Sequence, residues 1–119
     1  MNTFSIKFIN EVENISNKPD MYGIKTFSEF LAYLHGWLRG MDNDEYNKTL
    51  LKSFQEWLAR KYKMPIAVHW TYILNQQMVK KDDPFGAVYK LLLQYQQEAS
   101  RTSEEQPNGN SRTGQGDVC

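Results

Sequence analysis

Apolar residues along this chain recur at intervals of three and four from Ile6 to Tyr95, and no stretch alternates at two for long enough to make a strand. That periodicity restricts the chain to packed helices. Ile6, Phe8, Ile9, Val12 and Ile15 share one face of a first helix, which Lys18-Pro19 interrupts because proline cannot continue it. Thr26 followed by Glu29 is a capping box that opens a second helix, whose stripe is Phe27, Phe30, Leu31, Leu34, Leu38 and Met41. Gly36 and Gly40, four apart on this helix, predict close approach of a neighbouring backbone. Asp42-Asn43-Asp44-Glu45 reads as an acidic connector. A third helix follows over 46–62, with Leu51, Phe54, Leu58 and Tyr62 in line; Lys61 and Lys63 suit its C-terminal pole and Pro65 enforces the stop. A fourth runs from His69 to about Lys81, and Asp83-Pro84 starts a fifth that ends near Glu98. The fold expected is an all-α bundle of about five helices with connectors short enough to pack neighbours together.

All three Trp, seven Tyr and six Phe fall at or before Tyr95, whereas Ala99 to Cys119 holds no Leu, Ile, Phe, Met, Tyr or Trp. The expected organisation is therefore a helical domain over 1–98 and a disordered polar tail over 99–119, which has too little apolar area to offset chain entropy. With 14 basic and 14 acidic residues, net charge supplies no field toward nucleic acid or anionic lipid. Cys119 is the one cysteine, so an intramolecular disulfide is excluded. The N-terminus lacks a signal-peptide pattern and no apolar run is long enough to span a bilayer, so a cytoplasmic location with no membrane partner is expected.

The residues offer little for catalysis. His35 and His69 are 34 positions apart with no metal-ligand spacing around either. Cys119 sits where nothing lowers its pKa, and no nucleophile elbow or phosphate loop is present. The expectation is no enzyme, no cofactor and no metal; an enzyme would have to combine His35 with Glu11 or Asp44. A helical nucleic-acid-binding regulator is the main alternative, using Arg60, Lys61, Lys63, Lys80 and Lys81 on phosphates and Asn75-Gln76-Gln77 on base edges.

Rings are the informative surplus. A helical body of this size has room for about half a dozen in its centre, so several are expected at the surface. Tyr33 and Trp37 lie off the second helix's apolar stripe and either pack on a neighbouring helix or present themselves to a partner. Beside them stand Asp42, Asp44 and Glu45, with Tyr46 just beyond. Tyrosine, tryptophan and clustered charge are hot-spot chemistry, so these six residues are the candidate partner-binding set, with Glu11 and Glu13 as a second acidic patch.

Ile15-Ser16-Asn17-Lys18-Pro19-Asp20-Met21-Tyr22-Gly23 resembles the basic-Pro-x-Met-Tyr-aliphatic-Gly turn of small helical bacterial proteins found beside polymorphic toxins, without the aliphatic residue before Gly23. Phe30-Leu31 before Gly36-Trp37, Phe54-x-x-Trp57, Trp70-x-x-Ile73 and the Phe85-to-Leu92 stretch follow in the same order. The likeness covers roughly residues 6–95. By this resemblance the chain is similar to an immunity protein of a contact-dependent growth inhibition system, one that neutralises a toxin RNase of the EndoU type. Such proteins bind a cognate toxin domain and cover its active site. The resemblance names no contact residues. On this reading the acids would mimic phosphates in the toxin's cationic cleft and the rings would fill its base pockets, over an interface of about 1,600 Å².

Overall fold

The computed structural model describes residues 2–105, the side chains of 102–105 excepted. These residues form five helices and no strand. Helix α1 is Ile6–Asn17, opened by Ser5, whose hydroxyl accepts the Phe8 N–H. Pro19–Tyr22 then makes one 3₁₀ turn, closed by Gly23 at φ 70°, where a residue without Cβ is strongly preferred. Helix α2, Phe27–Met41, begins with the expected capping box, both halves of it formed. Asp42 alone turns the corner: it ends α2, and its carboxylate accepts the Glu45 N–H at 3.0 Å to start the next helix. The acidic connector is thus one residue long, because Asn43–Glu45 is already helical.

Helix α3 is continuous from there, with a π-helical stretch over Tyr46–Phe54 and α-helix over Gln55–Lys61. Each π turn closes with an i→i+5 bond and takes up an extra residue. The stripe that reads Leu51–Phe54–Leu58 at α spacing is consequently carried at its start by Tyr46 and Leu50, both buried, with Leu51 half-exposed. Lys63 at φ 56° follows the end of α3. Helix α4 is Trp70–Met78, with His69 as its N-cap. Helix α5 is Pro84–Glu105, its Asp83 accepting the Gly86 N–H at 3.0 Å.

The last helix is longer than its composition suggests. Ala99 is fully buried, so the boundary expected at 98 falls inside α5. The part of the expected tail beyond 105 lies outside the described residues.

Helix α1 packs along α5 and the bundle closes around Phe30, Phe54, Trp70 and Tyr95. The N-terminal segment straps two helices together. Gln96 exchanges two hydrogen bonds with the Phe4 backbone, at 2.7 and 3.0 Å, and the Asn2 N–H donates to Ser53 at 3.1 Å. The Tyr95 hydroxyl donates to the Asn2 carbonyl and lies 2.7 Å from Ser53 Oγ. Nine rings are buried, more than the half dozen expected; among them Phe4–Phe54, Phe54–Tyr95 and Trp57–Tyr95 meet edge-to-face at centroid separations of 5.2–5.4 Å, and Phe4 tilts against Tyr95 at 5.7 Å. Tyr22, Tyr33, Trp37, Tyr62, Phe85 and Tyr89 are half-buried and Tyr72 is exposed.

Candidate partner-binding face

Tyr33 and Trp37 stand one turn apart on the flank of α2 that meets α1. Trp37 lies against Phe8 at 5.9 Å between ring centroids, and the Tyr33 hydroxyl donates to Glu11 Oε2 at 2.8 Å, so the two helices run antiparallel. Tyr22 meets the Tyr33 ring edge-on at 5.8 Å. Partial burial, reinforced by the Glu11 carboxylate, pushes the Tyr33 phenol up to about 12, which keeps it a hydrogen-bond donor at neutral pH. Phe8 in turn packs on Phe4 at 4.8 Å, and the next residue, Ser5, donates its N–H to Glu45 Oε2 at 3.1 Å. A strip of half-buried rings therefore runs from Tyr22 through Tyr33 and Trp37 toward the acidic corner at 42–45.

The surface of α2 beside this strip is bare. A Cβ built on Gly36 or Gly40 would meet nothing within 4 Å, so no neighbouring backbone approaches either glycine and the sequence expectation is overturned. Met41, assigned to the core stripe from its spacing, is 58 % exposed. It stands at the last position of α2, where the chain leaves the bundle to turn at Asp42.

The structure sorts the candidate residues into different duties. Asp42 is a helix cap and Glu45 holds the N-terminal strap. Asp44 faces solvent and pairs with Lys48 at 3.2 Å across two well-exposed side chains, an interaction worth little. Tyr46, expected as a surface anchor, is buried: its hydroxyl is 3.0 Å from His35 Nε2 and its ring lies under the Arg39 guanidinium, 5.9 Å away. Glu11 and Glu13 do not form one patch. Glu11 serves Tyr33 on the α2 side, while Glu13 lies toward Tyr89 on α5, whose phenol is pushed up by partial burial and by that carboxylate. Helical geometry separates them, since positions two apart point to opposite flanks.

Residues proposed for other chemistries are also occupied. His35 lies against Tyr46, Glu11 accepts from Tyr33, and Asp44 pairs loosely with Lys48. Asn75 spends its amide on the Thr71 carbonyl and Gln76 on the Tyr72 hydroxyl, both within α4. Among the described residues no group of three or more His, Cys, Asp or Glu could hold a metal ion, and no helix is long and apolar enough to cross a membrane.

One cluster has no counterpart in the sequence reading. His35 and His69 meet with ring centroids 6.1 Å apart, both against Trp70, whose buried indole N–H has no hydrogen-bond partner among the described residues. His69 Nδ1 accepts the Thr71 N–H at 3.3 Å, which requires an unprotonated nitrogen there. Partial desolvation of this largely exposed ring, followed by the nearby His35, holds its pKa below the usual imidazole value. Histidine is an uncommon cap, and a spacing of 34 residues gives no local sign that the two rings touch.

Comparison of the chain with protein-family models, with curated proteins and with solved structures finds no match.

Proposed function

We propose that this chain is an immunity-type inhibitor, which binds a cognate toxin nuclease domain and covers its active site. The observation that carries this reading is the α1–α2 face: half-buried Tyr22, Tyr33 and Trp37 form a rigid aromatic strip, a glycine-lined bare helix surface lies beside it, and an acidic corner ends it. Rings already fixed by packing lose little entropy on docking, and helix positions without Cβ let a partner's side chains approach the backbone. Asp44 and Met41 supply solvent-facing charge and apolar contact at one end. The likeness of residues 15–23 and of the spaced aromatic motifs to toxin-associated immunity proteins points to the same class of partner.

The test is capture of the tagged chain from its own cells, with the captured material assayed for ribonuclease activity before and after the chain is stripped away. The reading expects a nuclease that is silent while bound and active once released. It also expects Gly36→Arg and Asp44→Lys, neither of which disturbs a packed group, to abolish capture while helical circular dichroism is unchanged. Capture that survives both substitutions, or a captured partner without nuclease activity in either state, refutes it.

A further inference from the structure

A second recognition surface, sharing no residue with the α1–α2 face, opens where the ends of α3 and α4 meet the start of α5. It is a cleft of about 450 Å³ whose lining includes Lys61, Lys81 and Lys90 over a floor of Met78 and Leu91, with Tyr62 at one side. Such a volume lies within the range of small-molecule sites. Lys61, Lys81 and Lys90 all line the cleft, and Lys61 also acts on the Glu98 carboxylate just outside it, helping to hold that group below the usual carboxylate range. Asp83 is the one acid in the lining, and its carboxylate is engaged as the cap of α5 through the Gly86 N–H. Within the lining, three lysines against this one aspartate leave an excess of positive charge, which Glu98 offsets in part at Lys61.

Lys61 is held rather than free to swing. Its Nζ lies 5.7 Å from the centroids of both the Trp57 and the Tyr62 rings, which fixes the ammonium by cation–π attraction. Trp57 is itself anchored by its indole N–H donating to Glu98 at 2.9 Å. The charge is therefore partly pre-positioned.

We infer that this cleft is a binding site for a phosphate monoester attached to a flat, largely apolar ring, a mononucleotide or the 5′-phosphorylated end of a nucleic acid. A phosphate monoester carries close to two negative charges at neutral pH, opposite in sign to the lysine-rich lining, and lysine binds it as a point charge without demanding the bidentate geometry of arginine. The ring meets the apolar part of the lining, the half-buried Tyr62 and Ala87 over the nearly buried Met78 and Leu91.

Calorimetric titration of the full chain at low salt with adenosine monophosphate, adenosine and inorganic phosphate tests the site. The monophosphate is expected to bind at least about tenfold tighter than either half alone, since a charge-assisted contact and ring burial each contribute on that order. Each of Lys61→Gln, Lys81→Gln and Lys90→Gln is expected to weaken it about three- to tenfold, and the triple variant to remove measurable binding. Lys48→Gln, outside the cleft, leaves it unchanged, and circular dichroism confirms that every variant is folded. An oligonucleotide with a 5′ phosphate that binds like the monophosphate, while its 5′-hydroxyl counterpart does not, assigns the source to a nucleic-acid end; failure of both assigns it to the free nucleotide. Equal binding of adenosine and its monophosphate, no binding of the monophosphate, or undiminished binding by the triple variant overturns the inference.

Discussion

Replacing both exposed glycines of α2 tests the bare face directly. Gly36 lies well inside a helix of fifteen residues and Gly40 in its last turn, and neither has positive φ, so alanine fits both without strain. Nothing stands within 4 Å of the new methyl groups, so no contact is gained and none is violated. What remains is the backbone entropy that glycine loses on folding, about 1 kcal/mol at the interior position and about half that near the end. Gly36→Ala/Gly40→Ala is thus expected to be about 1.5 kcal/mol more stable than the parent chain. With a urea m-value of about 2 kcal/mol/M, the midpoint followed by circular dichroism rises by about 0.7 M at unchanged m. Two changes that cost the fold nothing yet narrow the approach to Trp37 should in turn weaken partner capture. A midpoint that falls, or that does not move, would show that some group covers this face, and the argument for a docking surface would fail with it.

The acid side of the stability curve follows from His69. Its folded-state pKa lies below the unfolded value, so its contribution is fully present above the unfolded pKa of about 6.5 and is lost as pH falls toward the folded pKa. Urea midpoints should decline from pH 7 to pH 5, and His69→Asn, which caps without titrating, should make that decline shallower; an equally steep decline in the variant argues against the cap. Asp42→Ala should cost about 1 kcal/mol, because it removes the side chain that starts α3, whereas Asp44→Ala should change stability by less than about 0.5 kcal/mol. Equal losses at the two positions in matched urea titrations would contradict the division of labour at this corner. Tyr95→Phe deletes the buried hydroxyl that ties Asn2 to the bundle, and about 1–3 kcal/mol should go with it, accompanied by faster amide exchange over residues 2–5.

Local chemistry made much of this protein legible in one dimension. Thr26 and Glu29 cap α2, Pro19 and Gly23 shape the turn, and Asp83 opens α5, because each acts on backbone groups within three or four residues. Apolar spacing likewise marked the inward faces of α1, α2 and α5, except at Ile6 and Met41, which stand 77 % and 58 % exposed at the first position of α1 and the last of α2. Spacing could not see partners far along the chain. It took the tertiary arrangement to bury Tyr46 against His35, leave Gly36 and Gly40 uncovered, divide Glu11 from Glu13, bring His35 to His69, and gather Lys61, Lys81 and Lys90 around one cleft. A residue at the margin of an apolar stripe is inside or outside according to where the neighbouring helix axis passes. That position is set by the packing of all five helices together, and the π-helical stretch of α3, which shifts the stripe by about one residue, is part of the same global fit.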